Sequence, residues 1–200
     1  MSQGASQFSS SSPNHLQATG APPQSPGHST MKREGDRVLS RRIDLRCDEP
    51  HLLDAVLPHE TTHVVLVGHF GDHDVPRWAD EGMAVLTEPR DRIEQHLRNL
   101  PAHRRDRTLF HLGQLMKMDS YPDPRYIGPF YAQGVSLVEF LSQRNGPQVF
   151  TRFLREGLQG GYEPALRKYY NFRDFAELER EWQRYAFGGE AAASAGDRGR

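Results

Sequence analysis

Two histidines and a glutamate lie within five residues of one another, in the run His59-Glu60-Thr61-Thr62-His63. Residues four positions apart lie on the same face of an α-helix, so both imidazoles could bind one tetrahedral metal ion. Glu60 would be rotated by about 100° from His59 and could reach a water molecule on the metal without binding the metal itself. This H-E-x-x-H pattern therefore predicts a zinc ion held by His59 and His63, with Glu60 as the catalytic base.

The residues around this motif favour a metal site over two unrelated surface histidines. Val56, Leu57 and the run 64–67 make the predicted helix apolar almost all round, which predicts that the helix is buried. Polar side chains inside a protein core destabilise it unless they have partners. A metal ion supplies that partner for two histidines at once.

A catalytic zinc usually has three protein ligands and a water molecule, and two residues could supply the third ligand. Glu81 follows His63 with 17 residues between them, on a second predicted helix that a short loop could fold back against the first. His69 lies six residues after His63, as in the pattern H-E-x-x-H-x-x-G-x-x-H, but the glycine of that pattern is Leu66 here. Without the glycine we expect the helix to continue and to direct His69 elsewhere. We therefore predict Glu81 as the third ligand, with His69 as the alternative.

The two segments together resemble the gluzincin metallopeptidases, and most closely the small peptidase MA-like proteins. The matching segments are 57–63, with the sequence LPHETTH, and 76–84, with the sequence PRWADEGMA. A third segment, YAQG at 131–134, is similar to the Y-x-x-G helix of the zinc aminopeptidases. The resemblance covers about residues 40 to 187. It implies a zinc-dependent peptidase in which Tyr131 stabilises the oxyanion of the transition state, and in which Asp80, next to Glu81, could support a metal ligand.

Two departures separate the chain from the aminopeptidases. The gap between His63 and Glu81 is one residue shorter than in those enzymes, and the G-x-M-E-N segment with which they grip a substrate amino terminus is absent. These departures disfavour aminopeptidase activity without establishing endopeptidase activity. From the resemblance we expect a zinc metallopeptidase, an endopeptidase, that acts on a peptide or protein substrate. The alternative is a non-catalytic gluzincin-like domain that binds zinc and interacts with peptides. The intact Glu60 favours the enzyme.

Composition and charge exclude several other classes of protein. Lys and Arg number 25 against 26 Asp and Glu, for a formal net charge of −1, which disfavours a nucleic-acid partner. The single cysteine, Cys47, excludes an internal disulfide and a zinc site of several thiolates. No apolar run approaches the ~18 residues of a membrane span, and the first 30 residues lack the basic and apolar regions of a signal peptide. By default we expect a cytoplasmic protein.

Composition also divides the chain of 200 residues into three parts. Residues 1–30 contain no Asp, Glu, Lys or Arg and concentrate Ser, Gln and Pro, which predicts a disordered leader over residues 1–35. Small and polar residues from Gly188 onward predict a disordered tail over residues 188–200. Residues 36–187 would then form the metallopeptidase-like domain.

Hydrophobic periodicity predicts a mainly α (α+β) domain with a short edge strand or small sheet before the metal helix. Pro101 and several Pro or Gly pairs separate the predicted helices, which cover about 52–70, 76–88, 90–99, 109–118, 126–144, 147–158, 162–170 and 174–186. Alternation around Ile43 and Leu45 predicts one strand over about 38–46. An extended substrate could pair with this edge and lie across the zinc.

We predict that Tyr131, about 50 positions after Glu81 in the sequence, lies in the same cleft. Gly134, one turn after Tyr131, would let their helix approach the metal helix closely. The phenol could then donate a hydrogen bond to the oxyanion beside the zinc. Tyr126 is the alternative donor if the helix begins differently.

Overall fold

Two antiparallel strands precede the helices in the computed structural model, which describes residues 25–34, 37–70 and 74–196. Strand β1 covers Gly27–Glu34 and β2 covers Arg37–Leu45, with Gly27 opposite Leu45 and Lys32 opposite Ser40. The predicted strand is confirmed in β2. The prediction of a disordered leader over residues 1–35 is wrong for residues 27–34, because they form β1. Residues 1–24 of that predicted leader lie outside the described residues.

A chain of helices follows the small sheet, so the predicted mainly α fold is confirmed. A π-helical turn, Leu52–Val56, leads directly into the first α-helix. The α-helices are α1 (Leu57–Phe70), α2 (Arg77–Val85), α3 (Arg90–Arg98), α4 (Leu100–Arg105), α5 (Leu112–Leu115), α6 (Ile127–Asn145), α7 (Pro147–Gly160), α8 (Tyr162–Tyr170) and α9 (Phe175–Gly196). A 3₁₀ turn, Pro124–Tyr126, precedes α6. None of the helices in the described part of the chain has the length and hydropathy of a membrane span.

Three helix boundaries differ from the sequence prediction. Pro101 does not separate two helices but lies in the first turn of α4. The backbone amides of a first turn have no hydrogen-bond partner within the helix, so a proline is tolerated there. The helix predicted over 109–118 is the single turn α5. Helix α9 continues to Gly196, so the tail predicted to begin at residue 188 is helical over most of its length.

The core is built around α6, which packs against α2, α3 and α7. Its largest fully buried side chains include Trp78 from α2, Phe130 from α6, Phe153 from α7 and Trp182 from α9. The indole of Trp182 donates a hydrogen bond to Ser136 Oγ on α6 at 3.1 Å, which satisfies its one polar group. This apolar core fixes the position of α2 relative to the rest of the molecule.

Helix α1 is only partly buried, so the prediction that this helix is buried is wrong. Its buried residues are Glu60, Leu66 and Phe70, whereas Val65 is 59% exposed. The helix packs on α2 and the sheet with one side and leaves the other side in solvent. Its histidines therefore border a cavity and are not enclosed in the core.

Helices α2 and α6 touch at two glycines. A methyl group on Gly134 would lie 2.8 Å from the Trp78 carbonyl oxygen, and one on Gly82 would lie 2.8 Å from the Gly134 carbonyl oxygen. Only glycine allows backbones to approach so closely. Gly134 was predicted to bring α6 to the metal helix, but it brings α6 to α2. Since Glu81 precedes Gly82 and Tyr131 lies one turn before Gly134, this crossing places the two side chains near each other.

Candidate metal centre

Three predicted ligands converge between α1 and α2. Glu81 Oε2 lies 3.4 Å from His59 Nε2 and 3.9 Å from His63 Nε2, and one ligand atom from each residue lies within 4.8 Å of the others. In a tetrahedral zinc site with bonds of about 2.0–2.1 Å, neighbouring ligand atoms are about 3.3 Å apart. The three side chains could therefore hold one metal ion with little movement.

The alternative ligand is not part of this group. His69 lies in the last turn of α1, with an exposed side chain, and its backbone carbonyl accepts a hydrogen bond from Arg155 at 2.9 Å. Helix α1 continues to Phe70 through the position where a glycine would have let the chain turn. The geometry thus favours Glu81 over His69 as the third ligand.

Glu81 has a buried oxygen without a hydrogen-bond partner in the described part of the chain, and this oxygen indicates whether a metal ion fits the site. Glu81 is 3% exposed, and its Oε2 has no hydrogen-bond partner among the described residues. Leaving a buried carboxylate oxygen unpaired destabilises the folded state. A cation among this oxygen and the two Nε2 atoms would remove that cost, so the residues present fit a divalent metal.

Two further carboxylates hold the imidazoles by their other nitrogens. His59 Nδ1 donates to Glu88 Oε1 at 2.8 Å, and His63 Nδ1 donates to Asp80 Oδ1 at 2.7 Å. Such a bond fixes the tautomer and the ring orientation, so each Nε2 keeps its lone pair for a metal. Asp80 therefore contacts one of the candidate ligands, as its supporting role would require. Glu88, which follows α2, was not predicted.

The charges within this cluster stabilise one another. Burial opposes the charged form of His59, but its contacts with the Glu81 and Glu88 carboxylates and their negative charges outweigh it and raise the pKa of His59 to about 9. Burial also opposes the ionised form of Glu81, but the contact with His59, the charge of His63 and the hydroxyl of Tyr121 lower the pKa of Glu81 to about 2. The site therefore holds an anion that needs a nearby cation.

Glu60 lies on the wall of the same cavity but outside the ligand group. The cavity has a volume of about 680 Å³ and is also lined by the three ligands, Tyr121 and Tyr131. Glu60 is buried, and its side chain lies against β1, so that a methyl group on Gly27 would be 2.8 Å from Glu60 Cγ. A buried carboxylate beside a metal site, and not bound in it, is in the right place to move a proton.

The strand beside the cavity is β1. Residues 25–29 and Met31 line the cavity, whereas no residue of β2 does. The prediction that segment 38–46 borders the cleft is therefore wrong, because β1, which pairs with β2, supplies the strand residues that line the cavity. Residues that the sequence assigns to the leader take the predicted position.

Two tyrosines face Glu81 from the opposite wall. Tyr131 stacks on His96 with ring centroids 5.9 Å apart, and burial together with the charge of Glu81 raises the pKa of Tyr131. Tyr121 donates a hydrogen bond to Glu81 Oε1. The predicted alternative, Tyr126, packs against Phe110 and does not line the cavity. The sequence gives no signal for Tyr121, which lies in an irregular segment 40 residues after Glu81.

No protein-family model matches the chain, and comparisons with curated proteins and with solved structures give no match either. The functional interpretation therefore depends on the geometry of this site and on the motifs in the sequence.

Proposed function

We propose that the protein is a zinc-dependent peptidase that hydrolyses bonds within a peptide or protein substrate. The observation that carries this proposal is the convergence of His59 Nε2, His63 Nε2 and Glu81 Oε2 on the wall of an open cavity. Two imidazoles and one carboxylate leave the fourth position of a tetrahedral ion open, as catalytic zinc sites do. When bound there, zinc supplies Lewis-acid chemistry to a water molecule and to a substrate carbonyl group.

Glu60 is the general base in this proposal. Its carboxylate accepts a proton from the attacking water molecule and passes that proton to the nitrogen of the leaving amine. It follows His59 directly on α1 and lies in the same cavity, so it can reach a reacting group without occupying a ligand position. General-base assistance of this kind contributes about 10²–10⁴ in rate.

Tyr131 is the proposed donor to the oxyanion. Its ring lines the cavity, and its raised pKa keeps the phenol protonated and able to donate at neutral pH. Donors that meet developing negative charge contribute about 10²–10³ in rate. The close crossing of α6 and α2 at Gly134 supports this role, because it brings Tyr131 to the helix that carries Glu81.

Strand β1 supports an extended substrate. One edge of β1 pairs with β2, and its other edge has no strand partner among the described residues. A peptide can add to such an edge as a further strand through backbone hydrogen bonds. Because residues 27–29 of β1 line the cavity, a peptide paired there would pass across the ligand group.

The first prediction combines metal analysis with the variant Glu60→Gln. Purified protein should contain one zinc per chain and should cleave an unfolded protein substrate such as casein, and a chelator should stop the cleavage. Glu60→Gln should keep zinc and lower hydrolysis by about 10²–10⁴, because the amide cannot accept the proton. Plasma emission spectrometry and a fluorescent casein assay measure the two effects.

The matched control is Glu94→Gln, which changes an exposed carboxylate on α3 that pairs with Arg90. It should alter neither zinc content nor cleavage. Full activity in Glu60→Gln, or a wild-type protein without zinc, would contradict the proposal. A protein that holds zinc and binds peptides equally well with either residue at position 60, but cleaves none, would be the non-catalytic domain.

A further inference from the structure

Tyr121 is held in place by an arginine and a phenylalanine. It lies between α5 and the 3₁₀ turn, where the chain has no regular structure of its own to fix a side chain. The Arg77 guanidinium lies 5.3 Å from the centroid of the Tyr121 ring, and Phe130 packs edge-on against that ring with centroids 6.0 Å apart. A cation over the face and an aromatic edge at the side are favourable contacts for a phenol ring. The direction of the Tyr121 hydroxyl is thus determined by residues of α2 and α6.

That hydroxyl makes the two oxygens of Glu81 unequal. Oε1 accepts the hydrogen bond from Tyr121, whereas Oε2 has no hydrogen-bond partner among the described residues and faces both Nε2 atoms. A carboxylate can bind a metal through one oxygen or through both. An oxygen already engaged by a phenol is less available as a second ligand.

Arg77 connects this arrangement to the histidine side of the site. Its Nη1 atom donates to Asp80 Oδ2 at 3.3 Å, and the other oxygen of Asp80 accepts from His63 Nδ1 at 2.7 Å. One arginine therefore contacts the residue that supports Glu81 and the residue that supports His63. Both contacts come from Arg77, the first residue of α2.

We propose that Tyr121 is a positioning residue that restricts Glu81 to one metal-binding oxygen. The inference rests on metal binding in the proposed function. It goes beyond that function because a residue that does not touch the metal would control how many ligand atoms Glu81 supplies. With Oε1 engaged, the three side chains supply three ligand atoms and one position stays open for substrate. Without the hydroxyl, Oε1 is free to turn toward the metal and become an additional ligand beside the open position.

The test is the variant Tyr121→Phe, which removes the hydroxyl and keeps the ring between Arg77 and Phe130. Cobalt replaces zinc as a spectroscopic probe, because the visible absorption of Co²⁺ weakens as its coordination number rises. We expect a weaker and shifted Co²⁺ spectrum than in wild type. We also expect the zinc dissociation constant, measured by competition with a chelator, to differ from that of the wild type, because Glu81 would supply a second ligand oxygen.

Tyr185→Phe is the matched control, since the Tyr185 hydroxyl also donates to a glutamate, Glu139 Oε2, at 3.0 Å but lies outside the cavity. It should leave the Co²⁺ spectrum and the zinc affinity unchanged. A Tyr121→Phe protein with the wild-type spectrum and zinc affinity would overturn the inference while leaving the proposed function intact. A changed spectrum in a protein whose wild type cleaves no peptide would support the inference and contradict the proposed function.

Discussion

At the scale of single residues, the candidate ligand nitrogens depend on carboxylates outside the ligand group. His59 and His63 are oriented by Glu88 and Asp80 through bonds of 2.8 and 2.7 Å. Glu88 in turn accepts a hydrogen bond from Arg92 at 2.9 Å, which keeps its other oxygen occupied. The predicted zinc affinity is therefore a property of both the ligands and the groups behind them.

The variant Glu88→Ala should weaken zinc binding about 10–100-fold while leaving the three ligands in the chain. Without Glu88 the His59 ring can rotate, and its Nε2 loses the basicity that the carboxylate confers. Titration against a chelator of known affinity measures the change. Glu94→Ala removes an exposed carboxylate that pairs with Arg90, and it should keep the wild-type affinity. Equal affinities in the two variants would show that Glu88 does not orient His59.

The sequence predicts the ligands of this site better than their supports. His59, Glu60 and His63 are recognisable because helical spacing fixes their relative positions, and Glu81 is recognisable from its distance along the chain and its helix. Glu88 and Tyr121 act across gaps of 29 and 40 residues, from irregular segments with no periodic pattern. No local rule connects such positions, so these contacts can be read only from the folded chain.

At the scale of secondary-structure elements, strand β1 and helix α1 meet at a glycine. A methyl group on Gly27 would lie 2.6 Å from Val56 Cγ1 and 2.8 Å from Glu60 Cγ. These distances are shorter than any normal carbon contact, so the strand lies as close to the proposed base as a glycine permits. The position of the Glu60 carboxylate is thus set by β1 as well as by its own helix.

Gly27→Ala should therefore lower hydrolysis more than it lowers zinc binding. The new methyl group must push Glu60 aside or lift the strand, and a displacement of about 1 Å at a catalytic group can cost about 10²-fold in rate. Zinc content should stay at one per chain, because the three atoms nearest to the new methyl group belong to Val56 and Glu60 and not to a candidate ligand. Turnover per zinc-loaded molecule is the quantity to measure.

Gly160→Ala is the matched control, since a methyl group there meets no atom within 4 Å. It should leave turnover unchanged. Wild-type turnover in Gly27→Ala would show that β1 does not fix the base, and a parallel loss of zinc would mean that the strand supports the ligands instead.

Elements with a regular apolar pattern were predicted, and strand β1, which has none, was not. Helices α6 to α8 have dense apolar faces, and their predicted limits agree with the structure within two residues. Strand β1 is rich in polar residues and is held by hydrogen bonds to β2 and by the close contact at Gly27. Neither interaction leaves an alternating pattern in the sequence, so composition alone assigned the segment to the leader.

At the scale of the whole molecule, the candidate metal site lies beside the hydrophobic core and is not part of it. The ligands come from α1 and α2, whereas the buried core extends through α6, α7, α8 and α9. A domain with such a core does not need a metal to fold, unlike a small zinc-finger domain. Removing zinc should therefore lower stability without unfolding the protein.

The charges of the site also limit the cost of losing the metal. Since the pKa of His59 is raised to about 9, this residue is protonated at pH 7 in the metal-free protein. Its Nε2 then lies 3.4 Å from Glu81 Oε2 as a cation facing the buried anion. A proton on His59 thus partly takes the place of the metal, and no carboxylate is left as an isolated buried charge.

We therefore expect the zinc-free protein at pH 7 to keep its helical circular dichroism and to melt at a lower temperature than the loaded protein. Free zinc at about 1,000 times its dissociation constant adds about 4 kcal/mol to the free energy of unfolding, which corresponds to about 8 to 16 °C in Tm for a chain of this size. Added zinc should restore the Tm of the wild type but leave that of Glu81→Ala unchanged. Loss of the helical signal on chelation would instead mean that the metal is required for the fold, and identical melting curves with and without zinc would show that the three side chains bind none.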